Sequence, residues 1–145
     1  MSGKTSTSIV VAAVVTGKHC WPEAPDHRDY LRTLHRHDFR FVAHVVVRHD
    51  DRDIEFHDLR DRILLEVERL GEPYEGNRPT AWKPDIWTDF GRRSCEELGR
   101  LLLHALGKGM PCWKVEVWED SDNGAIYEEP WRRENMYLTD VRPLG

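Results

Sequence analysis

Two histidines one residue apart, His35 and His37 in LHRHDF, open a stretch that then turns apolar. In an extended chain residues i and i+2 share a face, so both imidazoles can reach one ion. A third ligand is needed, and His19 in TGKHCW stands at the end of an earlier β-branched run. Three neutral imidazoles leave one tetrahedral position open, which is the pattern of a catalytic rather than a structural zinc. Coincidence is the competing reading, because eight histidines in 145 residues produce such spacings without function.

Glu119 is the second residue with chemical promise. It extends the apolar alternation of VEVWED, and a carboxylate on such a face must be paired or bind something. Its geometry suits a bidentate grip on two parallel N–H donors, as on the amidine edge of a guanine or pterin ring. Alternatively the strand has ended and Glu119 faces water. His27, in the polar stretch before the histidine pair, is the candidate acid–base group, since an unperturbed imidazole titrates near neutrality. Cys20 follows His19 directly and is expected on the opposite face, while Cys95 sits at a helix start, where a thiol can be acidified. Asp26, Asp29, Asp85 and Asp89 are loop carboxylates. Trp21 and Trp118 are candidates to line a ring pocket, and Lys18, Arg32, Arg36, Arg92 and Arg93 could form a basic mouth.

The elements that must position these groups follow from periodicity. Ile9–Val15 reads as a buried first strand, and the alternation His35, His37, Phe39, Phe41, Ala43, Val45, Val47 as a long second one with its histidines on the buried face. RHDDRD is a polar turn, and IEF (Ile54 to Phe56) reads as a short strand. A helix follows, with Asp58 as N-cap, a stripe of Leu59, Ile63, Val67 and Leu70, and Gly71 at its end. Glu72 to Phe90 reads as a long loop. A second helix starts at the capping box Ser94/Glu97 and turns Leu98, Leu101, Leu102, Ala105 and Leu106 to the core. A strand with Trp113, Val115, Val117 and Glu119 on one face, the turn SDNG and the strand AIYEE form a hairpin, and NMYLTDV a further edge strand. The order predicts an α+β fold: an antiparallel sheet with two helices on one face, arranged strand-strand-helix-helix-strand-strand in one domain spanning residues 1–145.

Composition narrows the function classes. With 39% hydrophobic and 32% charged residues the chain is globular, and no apolar run reaches the roughly 20 residues of a membrane span. A net charge of −5 argues against general nucleic-acid binding. Three cysteines, widely spaced and without CxxC, argue against a disulfide framework and for a reducing, cytoplasmic setting.

Taken in order, these segments resemble the 6-pyruvoyl-tetrahydropterin synthase and 6-carboxytetrahydropterin synthase family, from about Val14 to Tyr127. His19, with His35 and His37 (Arg36 replacing an intervening glycine), matches the family's zinc-binding histidines. IEFHDL, SCEEL and VEVWED match, in turn, its first-helix opening, its second-helix start and the strand whose glutamate anchors the pterin, here Glu119. The resemblance implies a tunnelling fold assembled into a homo-oligomeric barrel, a Zn²⁺ cofactor, and a lyase-type reaction on a dihydroneopterin triphosphate-like substrate. It implies no nucleic-acid and no membrane partner. The family's cysteine, four residues before the histidine pair, is Leu31 here, and its aspartate–histidine dyad is missing, since Glu72 to Phe90 contains no histidine. The alternative is a non-catalytic or repurposed member that binds zinc and a pterin or guanine-like ring.

Overall fold

β-Branched residues crowd at χ1 in a helix and pack well on a pleated sheet. The two segments richest in them form the longest strands: β1 (Thr7–His19) and β2 (His35–Val47), each 13 residues. In this computed structural model, which describes residues 5–73 and 88–135, they pair antiparallel along their whole length, from Thr7 opposite Val47 to His19 opposite His35. Between them lies a short 3-10 helix, Asp26–Leu31. Helix α1 (Phe56–Arg69) is followed by the two-residue strands β3 (Glu72–Pro73) and β4 (Thr88–Asp89). Helix α2 (Cys95–Leu106), the hairpin β5 (Cys112–Glu119) and β6 (Asn123–Glu128), and the short helix α3 (Pro130–Asn135) complete the described chain. The sheet order is β3-β4-β1-β2-β5-β6, antiparallel except where β1 meets β4.

Both long helices pack on one face of the sheet. Leu59, Ile63 and Val67 from α1, with Leu98, Leu102, Leu103 and Leu106 from α2, close over Phe39, Phe41, Ala43 and Val45 of β2. None of these side chains exposes measurable surface to solvent, so this layer is the hydrophobic core. The face of β2 that carries the histidines is therefore the core face, as the alternation predicts. No helix of the described residues is long and apolar enough to cross a membrane.

Several local expectations are corrected. Ile54 and Phe56 form no strand: Glu55 is the N-cap of α1, its carboxylate accepting from the Asp58 N–H, so α1 begins at Phe56 and Asp58 is its third residue. That bond and those from His57 hold the Glu55 carboxyl down at about 2. The helix closes on Leu70 rather than Gly71. In α2, Ser94 caps the Glu97 N–H as expected, but Leu103 is fully buried whereas Leu101 and Ala105 are only partly so. Trp113 does not share the core face with Val115 and Val117. A bulge in the β2–β5 pairing between His44 and Val45 hands that face to Cys112, since an extra residue on one strand reverses the alternation beyond it. The Trp113 indole turns to the outer face, donates to the Ser8 hydroxyl at 3.0 Å and meets the His44 ring. The hairpin turn comprises Asp120 to Asp122, with Asn123 already paired to Glu119. Of the expected strand NMYLTDV, Asn135 ends α3 and the rest lies outside the described residues.

The end of β1 is held from its other side. The Phe90 N–H donates to the Lys18 carbonyl, and the Cys20 N–H to the Gly91 carbonyl, both at 2.8 Å. This close approach requires a glycine at position 17. A Cβ there would stand 2.5 Å from Phe90 Cε2 and 2.9 Å from the Thr88 carbonyl oxygen, and a glycine inside a strand commonly marks such a contact. Gly17→Ala is expected to destabilise the protein by about 1–3 kcal/mol, the usual cost of overpacking, measured by urea denaturation. Stability equal to wild type would show that this packing carries no such constraint.

Candidate metal centre

Because His19 pairs with His35 and His37 lies two residues further along the same face, the three imidazoles are brought together at one end of the core. Their candidate ligand atoms all lie within 4.8 Å of one another. Phe39 forms the floor: its ring meets His19 edge-on at a centroid separation of 5.1 Å and His37 at 5.6 Å. The cluster thus stands on apolar material below and opens toward the rim.

Each imidazole is oriented through Nδ1. His19 Nδ1 lies 2.9 Å from the Arg93 carbonyl, His35 Nδ1 2.9 Å from the Thr33 carbonyl, and His37 Nδ1 2.6 Å from Asp120 Oδ2. A carbonyl or an ionised carboxylate can only accept, so in each ring Nδ1 carries a proton and Nε2 is left to face the cluster. Outer partners of this kind fix the tautomer and ring direction of metal-binding histidines. The buried His37 Nε2 has no hydrogen-bond partner among the described residues, an arrangement that costs free energy unless something binds there. With Nε2 unprotonated, three imidazole donors of one tautomer fit a borderline-soft divalent ion such as zinc.

These supports are themselves fixed. The Arg93 guanidinium donates to the Leu70 carbonyl and its N–H to the Phe90 carbonyl at 3.3 Å, so the carbonyl facing His19 belongs to a pinned residue. Asp120 sits in the left-handed region at φ 50° and its second oxygen accepts the Asp38 N–H at 2.8 Å. Asp120 went unnoticed in the sequence. The only signal was an Asp directly after the strand end, at a turn position that Asp tolerates well. Thr33 and Arg93 act through backbone carbonyls, which no side-chain pattern encodes.

Glu119 does not face bulk water. Its Oε1 lies 3.1 Å from His19 Nε2, and its Oε2 lies 3.6 Å from His37 Nε2. The Cys95 thiol donates to Oε1 over 3.4 Å. The bond from His19 holds the Glu119 carboxyl below the ordinary carboxylate range, against the opposing effect of burial. Burial works against charge on His19, but Glu119 and the Arg93 carbonyl outweigh it and raise that ring above 6.5. Burial also lowers His35, with His19 and His37 adding to the effect. Burial and the neighbouring Glu119 charge push the Cys95 thiol far up. The bond from His37 holds Asp120 low.

A cavity of about 470 Å³ opens beside the cluster, lined among others by His19, His35, Glu119, Trp21, Leu31 and Cys95. Arg92, Arg93 and Glu96 also line it. Cys20 lines it too, contrary to the alternation argument: β1 ends at His19, and the bond to Gly91 turns the chain there. Other residues with suggested roles lie elsewhere. His27 is exposed on the 3-10 helix and does not line the cavity. Arg32 bonds Asp26 and the Ala24 carbonyl, Trp118 donates to Glu116 on the outer face, and Asp89 accepts the Gly91 N–H. Asp85 lies outside the described residues.

No family model and no curated protein matches the chain. Among solved structures it is similar to an uncharacterized protein from Wolinella succinogenes, with a TM-score of 0.56 and 13% identity over 87% of this chain and 99% of that one. It is also similar to the 6-pyruvoyl tetrahydropterin synthase of Caenorhabditis elegans, with a TM-score of 0.54 and 11% identity over 89% of this chain and 99% of that one. At these identities the likeness is one of fold, and the fold is the α+β tunnelling type.

The support of His37 is directly testable. In Asp120→Asn one orientation of the amide keeps its oxygen on the Asp38 N–H and turns an N–H toward His37 Nδ1. The ring then favours the opposite tautomer, with its proton on Nε2. Zinc affinity, measured by chelator competition, should fall about 10–100-fold, as for other outer-shell losses. An unchanged affinity would remove Asp120 from the centre.

Proposed function

We propose that the chain is a zinc-dependent, pterin-synthase-like lyase acting on a dihydroneopterin triphosphate-like substrate in the cavity beside His19, His35 and His37. One observation carries the reading: three imidazoles with tethered Nδ1 atoms converge beside a cavity lined by two of them, His19 and His35, and by an ionised carboxylate. The three histidines would hold zinc, which supplies Lewis-acid polarisation of substrate oxygens. Glu119 grips the N–H edge of the ring, and its depressed pKa keeps it an acceptor at neutral pH. Trp21 forms an apolar wall against which a ring can pack. Arg92, ion-paired with Glu23, and Arg93, bonded to the Leu70 carbonyl, line the cavity where an anionic side chain would meet them.

A second reading, a protein that binds zinc and a ring without turnover, is favoured by Leu31. It lines the cavity at the position where the resemblance expects a cysteine. Both readings require metal and ring, and they differ in chemistry. Protein purified without chelator and supplied with zinc should hold close to one ion per chain by elemental analysis, and His37→Ala should lose it. Calorimetric titration of neopterin into metal-free protein should show binding that Glu119→Gln weakens about 10–100-fold, the size of one charge-assisted bond lost and one N–H left unpaired. Metal-free wild type without measurable affinity for the ring would remove the pterin assignment from both readings. Substrate turnover by the zinc-loaded wild type then separates the lyase from the binder.

The outer sheet face bears on assembly. Val10, Val14 and Ile126 stand there 52%, 60% and 53% exposed, and β6 is an edge strand among the described residues. Apolar, open-edged sheets are ordinarily covered. We infer a homo-oligomer in which copies of the chain continue the sheet. Sedimentation at micromolar concentration should give a species larger than 17.0 kDa, and a monomer would refute the assembly.

A further inference from the structure

We infer that Glu119 is a fourth ligand of the metal centre, closing it until a ring draws the carboxylate away. The inference rests on the three-histidine zinc reading and adds to it a change of role for one residue. The two oxygens of Glu119 face two different imidazoles at 3.1 Å and 3.6 Å. Donors bound 2.0–2.2 Å from one tetrahedral ion stand about 3.3 Å apart, so Oε1 stands near the spacing of a co-ligand with His19 and Oε2 near that of a co-ligand with His37. Both contacted atoms are Nε2, the nitrogens left facing the cluster by the outer partners of the rings. Among the described residues His37 Nε2 has no hydrogen-bond partner. A carboxylate is a common zinc ligand, and three imidazoles with one carboxylate complete four-coordination with no position left for water.

The same carboxylate lines the cavity, so its two duties compete. On a ring edge Glu119 accepts two N–H bonds, and on the metal it supplies one bond and charge compensation. Ring binding therefore opens a coordination position at the moment a substrate side chain arrives to use it. Unliganded protein keeps a closed centre, which excludes adventitious water and anions. The Cys95 thiol, donating to Oε1, steadies the carboxylate on the metal side of the cavity.

Cobalt substitution and zinc competition test this without reference to activity. Glu119→Gln should bind zinc at least about tenfold more weakly than wild type in competition with a chromophoric chelator. Its cobalt-loaded form should show altered visible bands. Adding neopterin to the cobalt-loaded wild type should change the bands toward those of an opened site, and should leave those of Glu119→Gln as they were. Wild type and Glu119→Gln with equal zinc affinity and the same cobalt spectrum would overturn the inference while leaving the three-histidine centre intact. If His37→Ala also retains zinc undiminished, the centre itself is wrong. Should Glu119→Gln fold poorly by circular dichroism, the wild-type cobalt spectrum decides: unchanged bands at saturating neopterin, or no neopterin binding, refute the gate.

Discussion

The register of β1 against β2 is the constraint on which everything else rests. Because side chains alternate, a slip of one residue would move a strand's whole apolar set, and its histidines, to the opposite face. Here the pairing runs unbroken through thirteen partners, from Thr7 opposite Val47 to His19 opposite His35. What fixes it is the core: Val11 and Ala13 must be buried beside Ala43 and Phe41, under helices that cover only one face. Burying a side chain of valine to phenylalanine size contributes about 1.5–3 kcal/mol, so a slipped register would forfeit many such terms at once. The histidine cluster inherits its precision from hydrophobic packing several residues away.

At the histidine end that apolar order gives way to polar order without a gap. Phe39 is the last core side chain on the face and the first surface beneath the imidazoles. Beyond it each ring is oriented by a group on a different segment: Arg93 before α2, Thr33 before β2, Asp120 after β5. Gly17 links the two regimes, since only a residue without Cβ lets Phe90 and Thr88 lie against the end of β1. The Phe90 and Gly91 bonds to β1 then carry the chain to Arg93, whose carbonyl meets His19. Closure of the core and orientation of the His19 ring are thus one mechanical unit.

What the sequence made legible follows from which interactions leave a pattern. The period-two spacing of His35, His37, Phe39 and Phe41 is a direct image of one sheet face, so the histidine pair and the face it shares with the core were readable. The capping of α2 by Ser94 was readable because the hydroxyl itself makes the bond. The N-cap of α1 was misplaced because Glu is an uncommon cap, and Asp58 offered a more familiar residue type three positions later. Trp113 was assigned to the wrong face because the bulge at His44/Val45 has no composition signature, and one extra residue inverts the alternation. The outer partners of the histidines were illegible for a different reason. Two are backbone carbonyls, and the third, Asp120, lies 83 positions from His37.

The chemistry available to the cavity follows from which groups can exchange a proton near neutrality. With Leu31 lining the wall, the thiols that remain are Cys20, just after β1, and Cys95 at the first turn of α2, and it is Cys95 that bonds Glu119. A helix N-terminus lowers a thiol pKa, but burial and the Glu119 charge act the other way and prevail, so Cys95 keeps its proton and donates it in a hydrogen bond. Glu119 in turn is stabilised as an anion, first by His19. A carboxylate whose pKa is already depressed is a poor proton acceptor, because efficient general bases are poised near the working pH. If Glu119 served as the base of the proposed lyase, proton abstraction would therefore depend on acidifying the substrate rather than on strengthening the base. Ring recognition has the opposite requirement, since a permanently ionised acceptor is the better partner for paired N–H donors. The electrostatics that weaken Glu119 as a base are those that suit it to hold a ring or a metal ion.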